Sequence, residues 1–398
     1  MKAPGFWTGN RSTLVLFVLV AGIIVYLTQT VSGTRIENDA TWFTVWQHQV
    51  THLGLIRAYA RANLIAVYPR LRPINYPPLY LYLLKYVPLP AIPLGFLLSM
   101  VILLLFYRKV KLFDVVVFLA MPITFFDLVI VGQIDYLLIF MVIASVLLVE
   151  ADRPIPAGIL AGLALTLKEE AVVFLPVFAA LALRERRYAY SLLAAFTAVL
   201  APLAGNLTLI LKVSYLNNVG LYQYLTMNGP NLWSLFAASL AQRDTVYIRY
   251  AGYLLSALWA VFMFRRYRTG GDWLAFGYAM AVGFLFWPTQ SQMRYEVYPF
   301  AFAFYLWKVR GRREFILPAY FFGITGGLYL ALEIFRVNPL VELAFLKACA
   351  LVTAGIVYRV ARGRLSGLPD GGGETPGRLL SRVTARVTRR DWAQNPDG

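Results

Sequence analysis

Residues 131–187 read VGQIDYLLIFMVIASVLLVEADRPIPAGILAGLALTLKEEAVVFLPVFAALALRERR, and their reading decides the fold class. Three apolar runs, 136–149, 154–167 and 171–183, follow one another with short polar breaks. Each is shorter than the ~20 residues of a straight membrane span. As a helix, the run 136–149 covers only about 21 Å at ~1.5 Å per residue, against a hydrocarbon core ~30 Å thick. Such helices must end inside the bilayer depth, so the segments that join them are recessed. Those segments are polar: Gln133 and Asp135 lie before the first run, and Lys168, Glu169 and Glu170 lie between the second and third.

The same pattern extends outward through the chain. Further apolar runs occupy 13–31, 92–107, 113–131, 188–211, 246–264, 273–288, 295–307, 314–334 and 340–358. Of the 398 residues 59% are hydrophobic and only 14% charged, where a soluble domain carries ~25% charged residues. The 9 Trp and 25 Tyr are the residues that settle at membrane interfaces. The expectation is an all-α, polytopic transmembrane protein of about 10–12 spans. In a soluble chain a net charge of +17 would suggest nucleic acid. Here the lipid-facing composition excludes that partner and makes the bilayer the first one. The single cysteine, Cys349, rules out an internal disulfide. The first apolar run lacks a small-residue cleavage site and is expected to stay as a span.

Basic residues then suggest an orientation. They cluster at Arg108–Lys111, Arg184–Arg187, Arg265–Arg268, Lys308–Arg313 and Arg359–Arg364. With a cytosolic N-terminus all five clusters fall on the cytosolic side, as the positive-inside rule requires. The expected protein is thus a multi-pass cell-membrane protein with both termini cytosolic. Residues 1–364 are read as one transmembrane domain, with 32–75 as its first extracytosolic loop. Residues 365–398 are read as a flexible linker and a basic amphipathic cytosolic tail, whose helix over 378–392 would rest on the anionic leaflet. The Pro-rich segment 76–91 is read either as a span or as a re-entrant or interfacial piece. Within the first loop Trp42, Trp46, Val50 and Leu53 recur at helical spacing, with His48 and His52 opposite. That spacing predicts an amphipathic helix at the membrane interface.

The opposite, extracytosolic connections hold the polar residues that sit oddly in lipid: Glu37, Asp39, Gln133, Asp135, Lys168, Glu169, Glu170, Asn228, Asn231, Arg294 and Glu296. Ionisable groups at membrane depth are costly and normally line a cavity or a site. Each also has a plainer reading. Asp39 is either a general base for a hydroxyl acceptor or a helix cap. Asp135 is either a buried group that needs a partner or part of a short solvated turn. Lys168 either holds a phosphate as a point charge or neutralises a neighbouring glutamate. Arg294 is either a phosphate fork or a salt-bridge partner of Glu296 or Glu170. The pair His48 and His52 is either a partial metal site or a polar helix face. No metal site is predicted outright, and a divalent metal is left open.

The order of these signals resembles the GT-C superfamily, the integral-membrane glycosyltransferases that use polyprenyl-phosphate sugars. A post-span carboxylate comes first, followed by Tyr-Pro-Pro-Leu at 76–79 and Gly-Gln-Ile-Asp at 132–135. Lys168 follows in a helical hairpin, then Asn-Leu-Trp at 231–233 and Arg-Tyr at 294–295. The resemblance covers most of residues 12–310. It implies that Asp39, with Glu37, is catalytic, and that Lys168 and Arg294 meet the donor phosphate. Tyr76, Gln133, Asp135, Glu169, Glu170 and Asn231 would be accessory substrate-binding residues. The chain departs from the family pattern in two places: its first loop reads Glu-Asn-Asp, and its late motif reads QMRYE where many members have His-Glu-Arg-Tyr. No large soluble C-terminal domain is expected, which argues against an oligosaccharyltransferase.

The resulting expectation is an inverting transferase of a hexose, mannose first among them. The donor would be a polyprenyl phosphate carrier and the acceptor a hydroxyl on a glycan, lipid or protein at the extracytosolic face. The rival expectation is a transporter or flippase for a lipid-linked or anionic solute, which also uses broken helices.

Overall fold

The computed structural model describes residues 39–62, 74–87, 110–125, 133–216, 223–269 and 271–363, with the single positions 15, 22, 127 and 365. The run 92–107, nearly all of 13–31, Glu37 and the tail from 366 lie outside the described residues, and of Asp39 only the backbone is described. Among the described residues all the longer elements are helices, and pairing between extended segments is limited to isolated bridges from 224, 227 and 228.

Helix α1 (Asp39–Leu53) and α2 (Leu55–Ala62) are divided by Gly54, whose φ of 76° places it in the left-handed region that glycine enters without strain. Of the predicted apolar face of α1, Trp46 and Val50 are buried and Trp42 and Leu53 half-buried, Phe43 is buried beside them, and His48 and His52 point outward. Helix α3 (Pro78–Tyr86) has 9 residues and proline in its first turn, where the missing N–H costs nothing. At about 13 Å α3 by itself is too short to cross a bilayer. Helix α4 (Leu112–Ala120) stops where Met121 turns extended (ψ 132°) ahead of Pro122, the conformation that a following proline enforces. A short turn (Pro122–Phe125) follows, so the apolar run 113–131 is not one unbroken helix.

The segment that opened the reading folds as α5 (Asp135–Glu150), α6 (Pro154–Leu167), a 3-10 turn (Glu169–Phe174) and α7 (Leu175–Arg184). Helix α8 (Arg186–Leu200) runs on through short 3-10, α and π turns to Leu216. After the irregular stretch 223–245 come α9 (Val246–Tyr267), α10 (Trp273–Phe286), α11 (Val297–Lys308), α12 (Ile316–Ile334) and α13 (Pro339–Ala361).

Helices α10 and α11 form the centre: from Val297 to Leu306 every side chain of α11 is buried. In lipid, helices associate mainly by packing, and small residues permit the closest approach. Gly277 shows this at the centre, since a Cβ there would stand 2.3 Å from Cε1 of Phe302. Helices α6 and α8 approach equally closely. A Cβ at Gly158 would lie 2.3 Å from the Tyr188 carbonyl, and one at Gly162 2.4 Å from that of Leu192. At the periphery, Leu193, Leu254 and Leu351 are more than half exposed. The segments Arg186–Leu216, Val246–Tyr267 and Pro339–Ala361 are long and apolar enough to cross a membrane.

The basic clusters meet at one end of this bundle. Arg266 donates to the carbonyl of Ala361, Arg184 lies over Trp273 at 5.9 Å, and Arg312 stands 3.5 Å from Asp272. Lys308 pairs with Asp114 at 2.6 Å, three residues after Lys111, and Arg310 pairs with Glu150 at the end of α5. Helices separated in sequence by up to 250 residues therefore present their positive ends together, the geometry on which the charge argument depends.

Candidate active site

The other ends of α5, α6 and α11 meet in a buried polar cluster. Asp135 opens α5, Lys168 closes α6, and a 3-10 turn (Met293–Glu296) leads into α11. Lys168 is the hub. Its Nζ lies 2.6 Å from Asp135 Oδ1 and 3.4 Å from Glu170 Oε1, and it donates to Gln133 Oε1 at 3.3 Å. Neither the Lys168 nor the Asp135 side chain has any exposed surface. Two carboxylates thus enclose one ammonium, a pairing that burial demands.

Three tyrosines complete the shell. Tyr76 donates to Gln133 Oε1 at 2.9 Å, and its ring lies 5.5 Å from Lys168 Nζ. Tyr295 donates to Glu170 Oε1 at 3.0 Å, and Tyr298 donates to Asp135 Oδ1. Arg294 is half-buried, with its guanidinium 5.5 Å from the centre of the Tyr295 ring. Lys168 Nζ stands 6.0 Å from the same ring. Both cations thus share one aromatic neighbour, with Lys168 sealed inside and Arg294 nearer the edge.

Secondary contacts hold these elements in place. The Tyr76 carbonyl, just before the Pro77–Pro78 pair, accepts from Tyr59 at 2.7 Å and Ser214 at 3.3 Å. Tyr215 donates to the carbonyl of Leu165 at 2.5 Å, satisfying one of the acceptors that the end of a helix leaves open. Ser214 and Tyr215 lie on the π turn (Lys212–Leu216), a backbone irregularity frequent at functional sites. Helix α1 meets the cluster through Tyr76, whose ring centre is 5.7 Å from Phe43 and 5.3 Å from Trp46.

The structure sorts the sequence-derived candidates. Tyr76, Gln133, Asp135, Lys168 and Glu170 share one hydrogen-bonded network, with Arg294 at its edge. Glu169 precedes Glu170 on the same turn and is half-buried. Asn231 is not in the network. Its amide donates to the carbonyls of Pro288 (3.1 Å), Thr289 (3.0 Å) and Leu225 (3.4 Å), and its Oδ1 accepts from Ser234 N at 2.8 Å. It clamps the stretch 223–245 onto the loop before Arg294. Glu296 turns to Thr325, accepting its hydroxyl at 2.7 Å. Among the described residues no three His, Cys, Asp or Glu side chains form a metal-sized group. His48 and His52 lie with ring centres 4.2 Å apart and ring planes tilted by 45° on the exposed face of α1. Sequence reasoning missed Tyr59, Ser214 and Tyr298 as parts of this site, because no polar motif marks them, and Tyr295 entered only as half of the Arg-Tyr pair.

A helical chain with three segments apolar enough to span a membrane, matched over more than half its length by a glycosyltransferase family, is a membrane glycosyltransferase. The match, to glycosyltransferase family 87, covers residues 75–291, and the chain belongs to that family. No curated protein matches it. The matched stretch includes Tyr76, Gln133, Asp135, Lys168 and Glu170. Family membership selects transfer chemistry over the transport alternative.

Proposed function

We propose that the protein transfers a hexose, mannose being the expected one, from a polyprenyl phosphate to a hydroxyl acceptor at the extracytosolic membrane face. The observation that carries this reading is the convergence of Tyr76, Gln133 and Asp135, Lys168 and Glu170, and Arg294 to Tyr298 in one cluster at the end of the bundle away from the basic clusters. These segments lie far apart in sequence, and their meeting is costly unless the site is used.

Depth supports a lipid-borne donor. Helix α5 has 16 residues and α11 has 12, so the cluster sits about 18–24 Å from the basic end. With that end at the cytosolic surface, the cluster stays within a hydrocarbon core ~30 Å thick. A phosphate reaching it must be carried on a lipid or enter from the opposite face through a recess. Arg294, the outer cation, would take the phosphate oxygens as a fork. Lys168, one layer deeper and already balanced by Asp135 and Glu170, would contribute its field rather than a direct contact. As the sugar–oxygen bond breaks, negative charge develops on the phosphate, and cations fixed beforehand lower that barrier without reorganising.

The base would come from the first loop. Asp39 is the first residue of α1, the helix that meets the cluster through Phe43 and Trp46. Glu37 would assist it. A carboxylate that removes the acceptor proton while the hydroxyl displaces phosphate at C1 inverts the anomeric centre. Both the acceptor, whether glycan, lipid or protein, and any divalent metal belong to the same test. Purified protein in nanodiscs, given radiolabelled polyprenyl-phosphate mannose and glucose with a lipid extract, with and without EDTA, should transfer label from one donor with inversion. Hydrolysis or no transfer from all polyprenyl-phosphate sugars, alongside transfer from a nucleotide sugar, would overturn the donor assignment.

A further inference from the structure

We infer that Tyr295 is a positioning residue for the anionic group of the substrate, acting through Arg294; this rests on the reading of Arg294 as the phosphate contact. Tyr295 is 9% exposed, and its ring centre lies 5.5 Å from the Arg294 guanidinium and 6.0 Å from Lys168 Nζ. Its hydroxyl is tied to Glu170 Oε1 at 3.0 Å, and Glu170 is itself tied to Lys168 at 3.4 Å. Its ring is wedged between Phe284, 5.1 Å away, and Tyr298, 6.0 Å away. The ring therefore cannot swing, and it gives a flat, electron-rich surface to the guanidinium beside it.

The physical consequence is preorganisation. An arginine held over an aromatic face keeps the plane of its fork fixed and loses less side-chain freedom when an anion arrives. The ring carries the effect, while the hydroxyl sets the ring's anchorage in the Lys168 network. Removing the ring should thus weaken recognition of the phosphate and leave recognition of the prenyl chain alone. A purely structural role would affect both together.

The test uses two probes, a polyprenyl monophosphate and the polyprenol of equal length, bound to the full chain in nanodiscs. The measured quantity is the ratio of their affinities. Arg294→Met tests the underlying reading and should reduce the ratio about 10–100-fold, the worth of a hydrogen bond to a charged group. Tyr295→Leu should reduce the ratio about 5–30-fold, the range of a desolvated cation–π contact. Tyr295→Phe, which keeps the ring, should restore most of the ratio. Polyprenol affinity should be unchanged in all three, and a general loss of polyprenol binding in Tyr295→Leu but not Tyr295→Phe would assign Tyr295 to packing and overturn the proposal. A normal ratio in Arg294→Met removes the phosphate reading itself. A reduced ratio in Arg294→Met beside a normal one in Tyr295→Leu leaves that reading standing and overturns only the role of Tyr295.

Discussion

Lys168 Nζ stands 2.6 Å from Asp135 Oδ1, and neither side chain reaches solvent. This pair joins the end of α6 to the start of α5, and through Tyr298 it reaches the start of α11. Its partners come from segments whose meeting the sequence order does not dictate, so the pair reports on the whole arrangement of the site.

Breaking a buried pair by removing one partner leaves an uncompensated charge, at a cost of about 3–5 kcal/mol. Lys168→Met and Asp135→Asn should each lower stability by that order in denaturant unfolding of the detergent-solubilised protein. The double variant should cost less than the two single losses added together, because the Lys168–Asp135 pair is removed as a unit and only Glu170 is left without its cation. Losses that simply add would show that the two groups are not coupled in the folded protein.

Asp39→Asn separates a base from a cap. Asparagine caps a helix about as well as aspartate but cannot accept the acceptor's proton at neutral pH. Loss of a general base costs about 10²–10⁴-fold in rate. The expected outcome is near-normal thermal stability and donor binding, with transfer reduced at least a hundredfold. Wild-type turnover would move the search for the base to Glu37, Asp135 or Glu170.

The close approach of α6 and α8 can be tested at one methyl group. A Cβ at Gly158 would stand 2.1 Å from Ser191 Oγ and 2.3 Å from the Tyr188 carbonyl. Gly158→Ala should therefore cost about 1–3 kcal/mol, the usual penalty of overpacking. Gly205→Ala is the control, since nothing lies within 4 Å of a Cβ there. Equal melting temperatures for the two variants would mean that the helices separate easily.

Orientation can be read with single cysteines in a Cys349→Ala background, the native thiol being buried. Glu185→Cys and Arg268→Cys, at the basic end, should label only from the cytosol. His52→Cys and Ala238→Cys should label only from outside. Cytosolic labelling of position 238 would invert the protein and put the polar cluster on the wrong face for the proposed donor.

The helices were legible wherever composition alone decides them. The run 154–167 is α6 to the residue, because proline opens it and a polar break closes it. The two faces of α1 were legible as well, since helical spacing separates Trp46 and Val50 from His48 and His52. The break at Met121 was not, because an apolar run hides what a proline does to the residue before it. Among the polar candidates, sequence could say that Asp135 and Lys168 were costly in lipid, but not that each is the other's counterion. Asn231 looked like a neighbour of the site, and its amide is instead committed to three backbone carbonyls.

By itself, then, the sequence determined a helical membrane chain with recessed breaks and clustered basic ends. These properties follow from the composition of local segments, where transfer free energy and helix length act residue by residue. The tertiary structure alone decided which polar groups meet. Tyr76 and Gln133 are 57 residues apart and Tyr298 and Asp135 163 apart, yet each pair is hydrogen-bonded. Such contacts depend on how helices pack side by side. That packing is set by glycine approaches such as Gly158 and Gly277, and by the need of every buried charge for a partner, both properties of the assembled bundle and not of any one segment.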